Sequence, residues 1–391
     1  DTPMGLQFAV ENGRVTGLTR VDAPAGAPLL LPPLFDIQVN GAIGVDLQSP
    51  LKDPAALATL TQWLQAEGVA RWIPTLITND PEVIEHNCRV IAQARRDRRL
   101  ARAMPGIHLE GPHLNPEDGP RGAHPVDHCI PPDTRLFDRL YRAAEGGLAY
   151  VTLAPELPGA LDYIAHVRQT GVRVSLGHHD ADAETIAAAV DAGASLCTHL
   201  GNAAAPQMHR HRNVLWPQLA EDRLCASFIA DGHHLSPAVL KTFTRVKGQR
   251  NAILVSDLVP IAGLEPGRYD LVGTPVVLHA TGRVDLAGTG LLAGSGIPLL
   301  DGVFFAAQHT DFTLREAAYA ASRTPARWLG LRAPLFPPRE GQRANFLLVA
   351  SPANGHGQHI DAVWIEGRNA SGNPQRHPVD FGKRLSEEST P

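Results

Sequence analysis

The sequence predicts an α/β fold: a TIM-type (β/α)8 barrel with a small β domain formed from both chain termini. Three observations predict it. Eight short apolar runs recur between residues 34 and 257, each followed by a helix-like or loop stretch. Strands alternating with helices build a parallel sheet, and eight repeats suit closure into a barrel. Short alternating β runs also stand before and after this region. With 391 residues, 43% hydrophobic and 19% charged, the chain can fill a large core and a smaller one beside it.

The elements follow in order. LQFAVENGRVTGLTR has two alternating runs around Asn12-Gly13, a hairpin signal because both turn residues tolerate positive φ. A Pro/Ala/Gly linker, APAGAPLLLPP, comes next. The eight strand runs are LFDIQVN (34–40), RWIPTLI (71–77), MPGIHLE (104–110), AYVTLAP (149–155), VRVSLGH (172–178), SLCTHL (195–200), CASFIAD (225–231) and AILVSD (252–257). The helical stretches beginning at Asp53-Pro54 and Asp80-Pro81 pair an N-cap aspartate with proline at the first helical position. Residues 201–224 carry the weakest helical pattern, being broken by prolines and clustered His and Arg. Short β pieces return over 268–288, then a helical part over roughly 297–330. ANFLLVA and DAVWIEGR read as two late strands that rejoin the N-terminal hairpin, and the polar tail after about residue 370 is expected to be mobile.

Composition excludes some functions. The net charge of -5 leaves no excess of Lys and Arg to displace counterions, so no nucleic-acid partner is expected. No long apolar span and no signal-peptide pattern is present, so no membrane partner is expected. Four cysteines, widely spaced and without a CxxC pair, suit a reducing compartment, and a cytoplasmic setting is the expectation.

In a barrel of this kind the active site gathers at the C-terminal strand ends. Read there, strand one ends Gln38-Val39-Asn40, strand three Glu110, strand five His178, strand six His199, strand seven Asp231 and strand eight Asp257. Glu110, His178 and His199 make a His₂Glu set. Three protein ligands leave a fourth position for water, the pattern of a catalytic metal site. A bound divalent ion brings the pKa of that water towards about 7. Asp257 is then the candidate acid/base, taking a proton from water and returning it to a leaving amine. The donor set suits zinc, with iron, cobalt or manganese as alternatives.

These residues sit in longer stretches: LFDIQVNGAIG, PTLIT, GIHLEGPHLNPEDGPRGAHP, VTLAPE, VSLGHHDA, THLGNA, FIADGHHLSP, ILVSDLVPIAGL, LAGS, TPARWLG and GQRANFLLV. In this order they cover most of residues 34–350, and the chain resembles the N-acetylglucosamine-6-phosphate deacetylases of the amidohydrolase superfamily. The resemblance implies a barrel over 34–334, a small β-sandwich from 1–33 and 335–391, one divalent metal ion per subunit and a homodimer. It implies hydrolysis of the acetamide of an amino-sugar phosphate. It repeats the roles of Glu110, His178, His199 and Asp257, and adds His124, Asn202, Ala203 and His234 as substrate contacts.

Departures from the wider pattern matter. Many amidohydrolases carry H-x-H on strand one and a carboxylated lysine on strand four, and hold two metals. Here strand one has Gln38 and Asn40, whose amides are poor metal ligands, and no lysine lies between Lys52 and Lys241. One metal is expected, with Gln38 and Asn40 lining the site or supporting its ligands. PQMHRHRN (206–213) replaces a REPG-type stretch whose arginine meets the sugar phosphate. Arg210 takes that role by its count from Asn202, with Arg212 as the alternative. Gly201 and Ala204 replace larger residues and imply a roomier sugar pocket. His108 reads as either support for the ligands or core packing, and Asp231 as a hydrogen-bonding group at the barrel top. Rival readings are a deacetylase of another N-acetyl amino sugar, a cyclic amidohydrolase, and a catalytically silent sugar-phosphate-binding protein.

Overall fold

A computed structural model describes residues 4–271, 273–350 and 360–371. The tail after residue 371 lies outside the described residues. Eight parallel strands stand in chain order: strand one Leu34–Val39, two Val69–Ile77, three Ile107–Glu110, four Leu148–Leu153, five Arg173–Leu176, six Ala194–Cys197, seven Cys225–Ile229 and eight Ala252–Val255. All eight coincide with the apolar runs. Helices fill the intervals, and the main core lies between them and the strands. The Asp80 side chain caps its helix as expected, accepting the Glu82 amide at 2.8 Å; in the first helix Pro54 is the N-cap, and Asp53 before it accepts the Ala55 amide at 2.8 Å. Residues 201–224 hold one short helix, Leu215–Ala220. No helix among the described residues is long and apolar enough to cross a membrane.

Strands one and eight meet at their C-terminal ends. The Asp257 amide donates to Gln38 O (3.1 Å) and the Asn40 amide to Leu258 O (2.7 Å). Below this seam the register between strands one and two shifts between Asp36 and Val39. The Asp36 carboxyl sits in that irregularity. It accepts the amides of Gln38 (3.2 Å) and Ser256 (3.3 Å) and the Ser256 hydroxyl. Bulges of this kind re-aim side chains near active sites. Here the residues beyond it are Gln38 and Asn40.

After strand eight the chain forms a four-stranded antiparallel sheet, Gly267–Leu271, Thr274–Leu278, Arg283–Leu286 and Leu292–Ser295. The last strand is the LAGS stretch. The Ser295 amide donates to Asp257 O (2.9 Å), so this sheet pins the backbone of the candidate acid/base. Helices Leu299–His309, Leu314–Ala320 and Arg323–Trp328 follow.

At the chain ends, Met4–Glu11 and Arg14–Asp22 form the expected hairpin, with Asn12 and Gly13 at φ 51° and 73°. The late strands Phe346–Val349, Ile360–Ile365 and Arg368–Asn369 pair with Leu29–Leu31 in a separate sheet. They are not part of the hairpin's own ladder. Instead the two sheets join through the Val15 amide on Gln342 O and the Gly341 amide on Val15 O, both 2.8 Å, and through the Phe8 and Phe346 rings, 5.1 Å apart.

Asp36 is fully buried, and burial pushes its carboxyl up to about 7. In the unfolded chain it titrates near about 3.9. The fold therefore holds an extra proton between these values. That stabilisation is complete below the unfolded pKa and is lost as pH rises through about 7. Asp36→Asn keeps the shape of the protonated acid and cannot ionise. Its melting temperature, followed by calorimetry across that pH range, is expected to rise relative to the wild type as pH increases. Parallel curves for the two proteins would exclude a buried titrating Asp36.

Candidate metal centre

Glu110 is the last residue of strand three. His178, His199, Asp231 and Asp257 each stand two residues beyond the last residue of strands five, six, seven and eight. The sequence reading ran the strands on to these residues. The strands stop earlier because His178, His199 and Asp257 take left-handed backbone, with φ of 57°, 30° and 54°. That conformation is rare outside glycine and concentrates where a site over-determines it. It turns each side chain off the strand and over the barrel mouth. Gly177 allows the turn at strand five: a Cβ there would lie 2.8 Å from both Thr152 Cγ2 and Thr198 Cβ.

The three donors converge. Glu110 Oε1 lies 3.2 Å from His178 Nε2 and 3.0 Å from His199 Nε2, and the two nitrogens are 3.1 Å apart. All three residues are buried. A tetrahedral ion with bonds of about 2.1 Å spaces its donors roughly 3.4 Å apart, so the triangle is a few tenths of an ångström from that size. The His178 tautomer fits as well. Its Nδ1 lies 3.0 Å from Pro120 O and 3.2 Å from Arg121 O, so it donates there and leaves the Nε2 lone pair facing inward. Three electron-rich atoms at this spacing, away from water, need positive charge among them. The titration tendencies agree. Burial would raise the Glu110 carboxyl, but the two histidines against it hold it well below its ordinary value. Burial would lower His199, but Glu110 holds it above its ordinary value.

The strand-one amides touch the carboxylates. Gln38 Nε2 donates to Glu110 Oε1 (3.0 Å), and Asn40 Nδ2 donates to Asp257 Oδ1 (2.7 Å). Burial, then the charge of Glu110, raises Asp257 above the usual carboxylate range. His124 packs edge-on against His178 with ring centroids 4.2 Å apart, and its Nδ1 has no hydrogen-bond partner among the described residues. Burial, then His178, holds it well below its ordinary value. Asp231 orients His234: its Oδ2 accepts from Nδ1 at 2.8 Å, and its Oδ1 accepts the His234 amide at 2.9 Å. Asn202 Nδ2 donates to His199 O (3.1 Å), and Ala203 has φ 49°. Arg210 and Arg212 stand exposed on the irregular 206–213 loop.

Sequence reasoning missed a polar layer just below the metal centre. His108 lies between Thr75 Oγ1 (3.2 Å) and Thr152 Oγ1 (2.8 Å); Thr152 continues to Thr198 (2.9 Å), and Thr198 to Ser175 (2.6 Å). His108 also stacks on Tyr150 at 3.8 Å, and burial pushes it down to about 3. It is a packed neutral histidine. The signal was a hydroxyl residue in PTLIT, VTL, VSL and CTH, one near the end of each strand run. Asp36 was also missed, since no motif marks a carboxyl that bridges two distant strands.

His178→Asn and His199→Asn are each expected to lose stoichiometric metal, read by elemental analysis of purified protein. His108→Asn is expected to keep its metal and to melt at a lower temperature. Metal retained in both ligand variants would remove this triangle as the binding site.

The Amidohydrolase family profile matches residues 44–370. An N-acetylgalactosamine-6-phosphate deacetylase of Escherichia coli O157:H7 is 34% identical, with 88% of each chain covered. The N-acetylglucosamine-6-phosphate deacetylase of Bacillus subtilis is 32% identical over 85% of this chain and 83% of its own. Among solved structures, an N-acetyl-D-glucosamine-6-phosphate deacetylase mutant of Mycobacterium smegmatis, in complex with N-acetyl-D-glucosamine 6-phosphate, superposes with a TM-score of 0.82 at 29% identity, covering 95% of each chain. The barrel, the gathered donors and these likenesses lead to one statement of kinship: the chain belongs to the amidohydrolase family.

Proposed function

We propose that the chain hydrolyses the acetamide of N-acetyl-D-glucosamine 6-phosphate to D-glucosamine 6-phosphate and acetate. The observation that carries this is the buried triangle of Glu110, His178 and His199 with Asp257 beside it, in a chain whose relatives bear deacetylase names. A divalent cation held by these donors, zinc by their chemistry, would lower the pKa of a water towards about 7 and polarise the acetamide carbonyl. Asp257 accepts the proton of the attacking water, held in place by the Asn40 amide. It then delivers that proton to the C2 nitrogen as the amine departs. Its raised pKa suits the second step, in which it must act as an acid.

The remaining roles belong to the same proposal. Gln38 fixes the Glu110 carboxylate, and His124 stands beside His178 to meet the carbonyl oxygen as charge develops. His234 donates Nδ1 to Asp231, which leaves Nε2 for the substrate. Asn202 and Ala203 line the sugar pocket, and Arg210 meets the phosphate. Homodimeric assembly and a cytoplasmic setting complete it, supported by the resemblance and the free cysteines. A second reading has a specific support: the Escherichia coli relative is named for N-acetylgalactosamine 6-phosphate, the C4 epimer.

Acetate release from the two N-acetylhexosamine 6-phosphates and from unphosphorylated N-acetylglucosamine, by protein of measured metal content, separates these readings. The glucosamine phosphate is expected to have the highest kcat/KM. Absence of acetate from all three overturns the proposal. Asp257→Asn is expected to keep its metal and lose about 10²–10⁴ in kcat. Full turnover in that variant would remove Asp257 from the scheme.

A further inference from the structure

At the opposite end of the barrel from the metal centre, a cavity of about 170 Å³ opens between the starts of strands one and two and the terminal sheet. Arg71, Arg99, Arg102, Arg343 and Arg368 line it, and Glu366 is the one carboxylate among its lining residues. These arginines come from three parts of the chain. Arg71 is on strand two, Arg99 and Arg102 lie one turn apart on the helix Arg98–Ala103, and Arg343 and Arg368 belong to the C-terminal region.

Some arginines elsewhere are ion-paired, Arg223 with Asp191 and Glu221 and Arg245 with Asp311. Among the described residues, none of the five cavity arginines forms an ion pair with a carboxylate. Arg71 donates to Arg332 O (2.9 Å) and feels the charge of Glu366, and Arg343 donates to Glu366 O (3.3 Å). The cluster is thus strongly positive in a chain whose net charge is -5. Such a concentration repels itself and attracts an anion. The guanidinium fork suits phosphate oxygens, to which it donates two parallel hydrogen bonds.

We infer that this cavity binds a small phosphate monoester at a site separate from the metal centre. The phosphate meets the arginines. Because the walls come from the barrel and the terminal sheet, an occupant links the two.

The test is calorimetric titration of the metal-loaded full chain with glucose 6-phosphate, with glucose as control. The wild type is compared with Arg99→Ser/Arg102→Ser and with Arg368→Ser, whose altered side chains are exposed and remote from the metal centre. The wild type is expected to bind glucose 6-phosphate and not glucose. Both variants are expected to weaken that binding by roughly tenfold or more while acetate-release kinetics stay unchanged. Failure of the wild type to bind, or binding indifferent to both variants, overturns the inference.

Discussion

Three electron-rich atoms held 3.0–3.2 Å apart in the buried barrel mouth form the constraint on which the rest of the structure depends. A buried carboxylate beside two imidazoles is costly unless positive charge compensates it and its other lone pairs are satisfied. The surroundings meet the second condition. Gln38 donates to the carboxylate, and the backbone carbonyls of Pro120 and Arg121 fix the His178 tautomer. The first condition is what a divalent cation satisfies, and the donor spacing matches one.

Holding that triangle places demands on the backbone. Left-handed residues at His178, His199 and Asp257 are strained, and each is backed by specific contacts. The Ser227 hydroxyl accepts the His199 amide at 2.7 Å. The amide of Asp257 and its carbonyl are taken by Gln38 O and by the Ser295 amide. Asp36, fixed by Ser256 and the Gln38 amide, sets the register of the seam that these bonds close. The His108 layer below gives the ligands a rigid polar floor. The same residues therefore both close the barrel and hold the site.

Much of this was legible in the sequence. Eight apolar runs gave eight strands, since a buried parallel strand leaves a continuous hydrophobic signature that composition alone carries. The donor residues stood out because they follow those runs at the rim where ligands gather. Less legible was what depends on tertiary register. The bridge from Asp36 to Ser256 spans 220 residues. The separation of the terminal strands from the hairpin depends on which edge Leu29–Leu31 offers. The backbone turns at His178 and His199 have no local glycine at the turning residue to announce them. The arginine cavity escaped notice because its members lie far apart in sequence and no motif joins them.

The central claim is that Glu110, His178 and His199 share one ion. Anomalous diffraction from crystals of the purified holoprotein, recorded on either side of the metal absorption edge, tests it most directly. The account expects a single peak bonded at about 2.0–2.2 Å to Glu110 Oε1, His178 Nε2 and His199 Nε2. A metal-loaded protein with no peak between these atoms, or with its ion bound elsewhere, would contradict it.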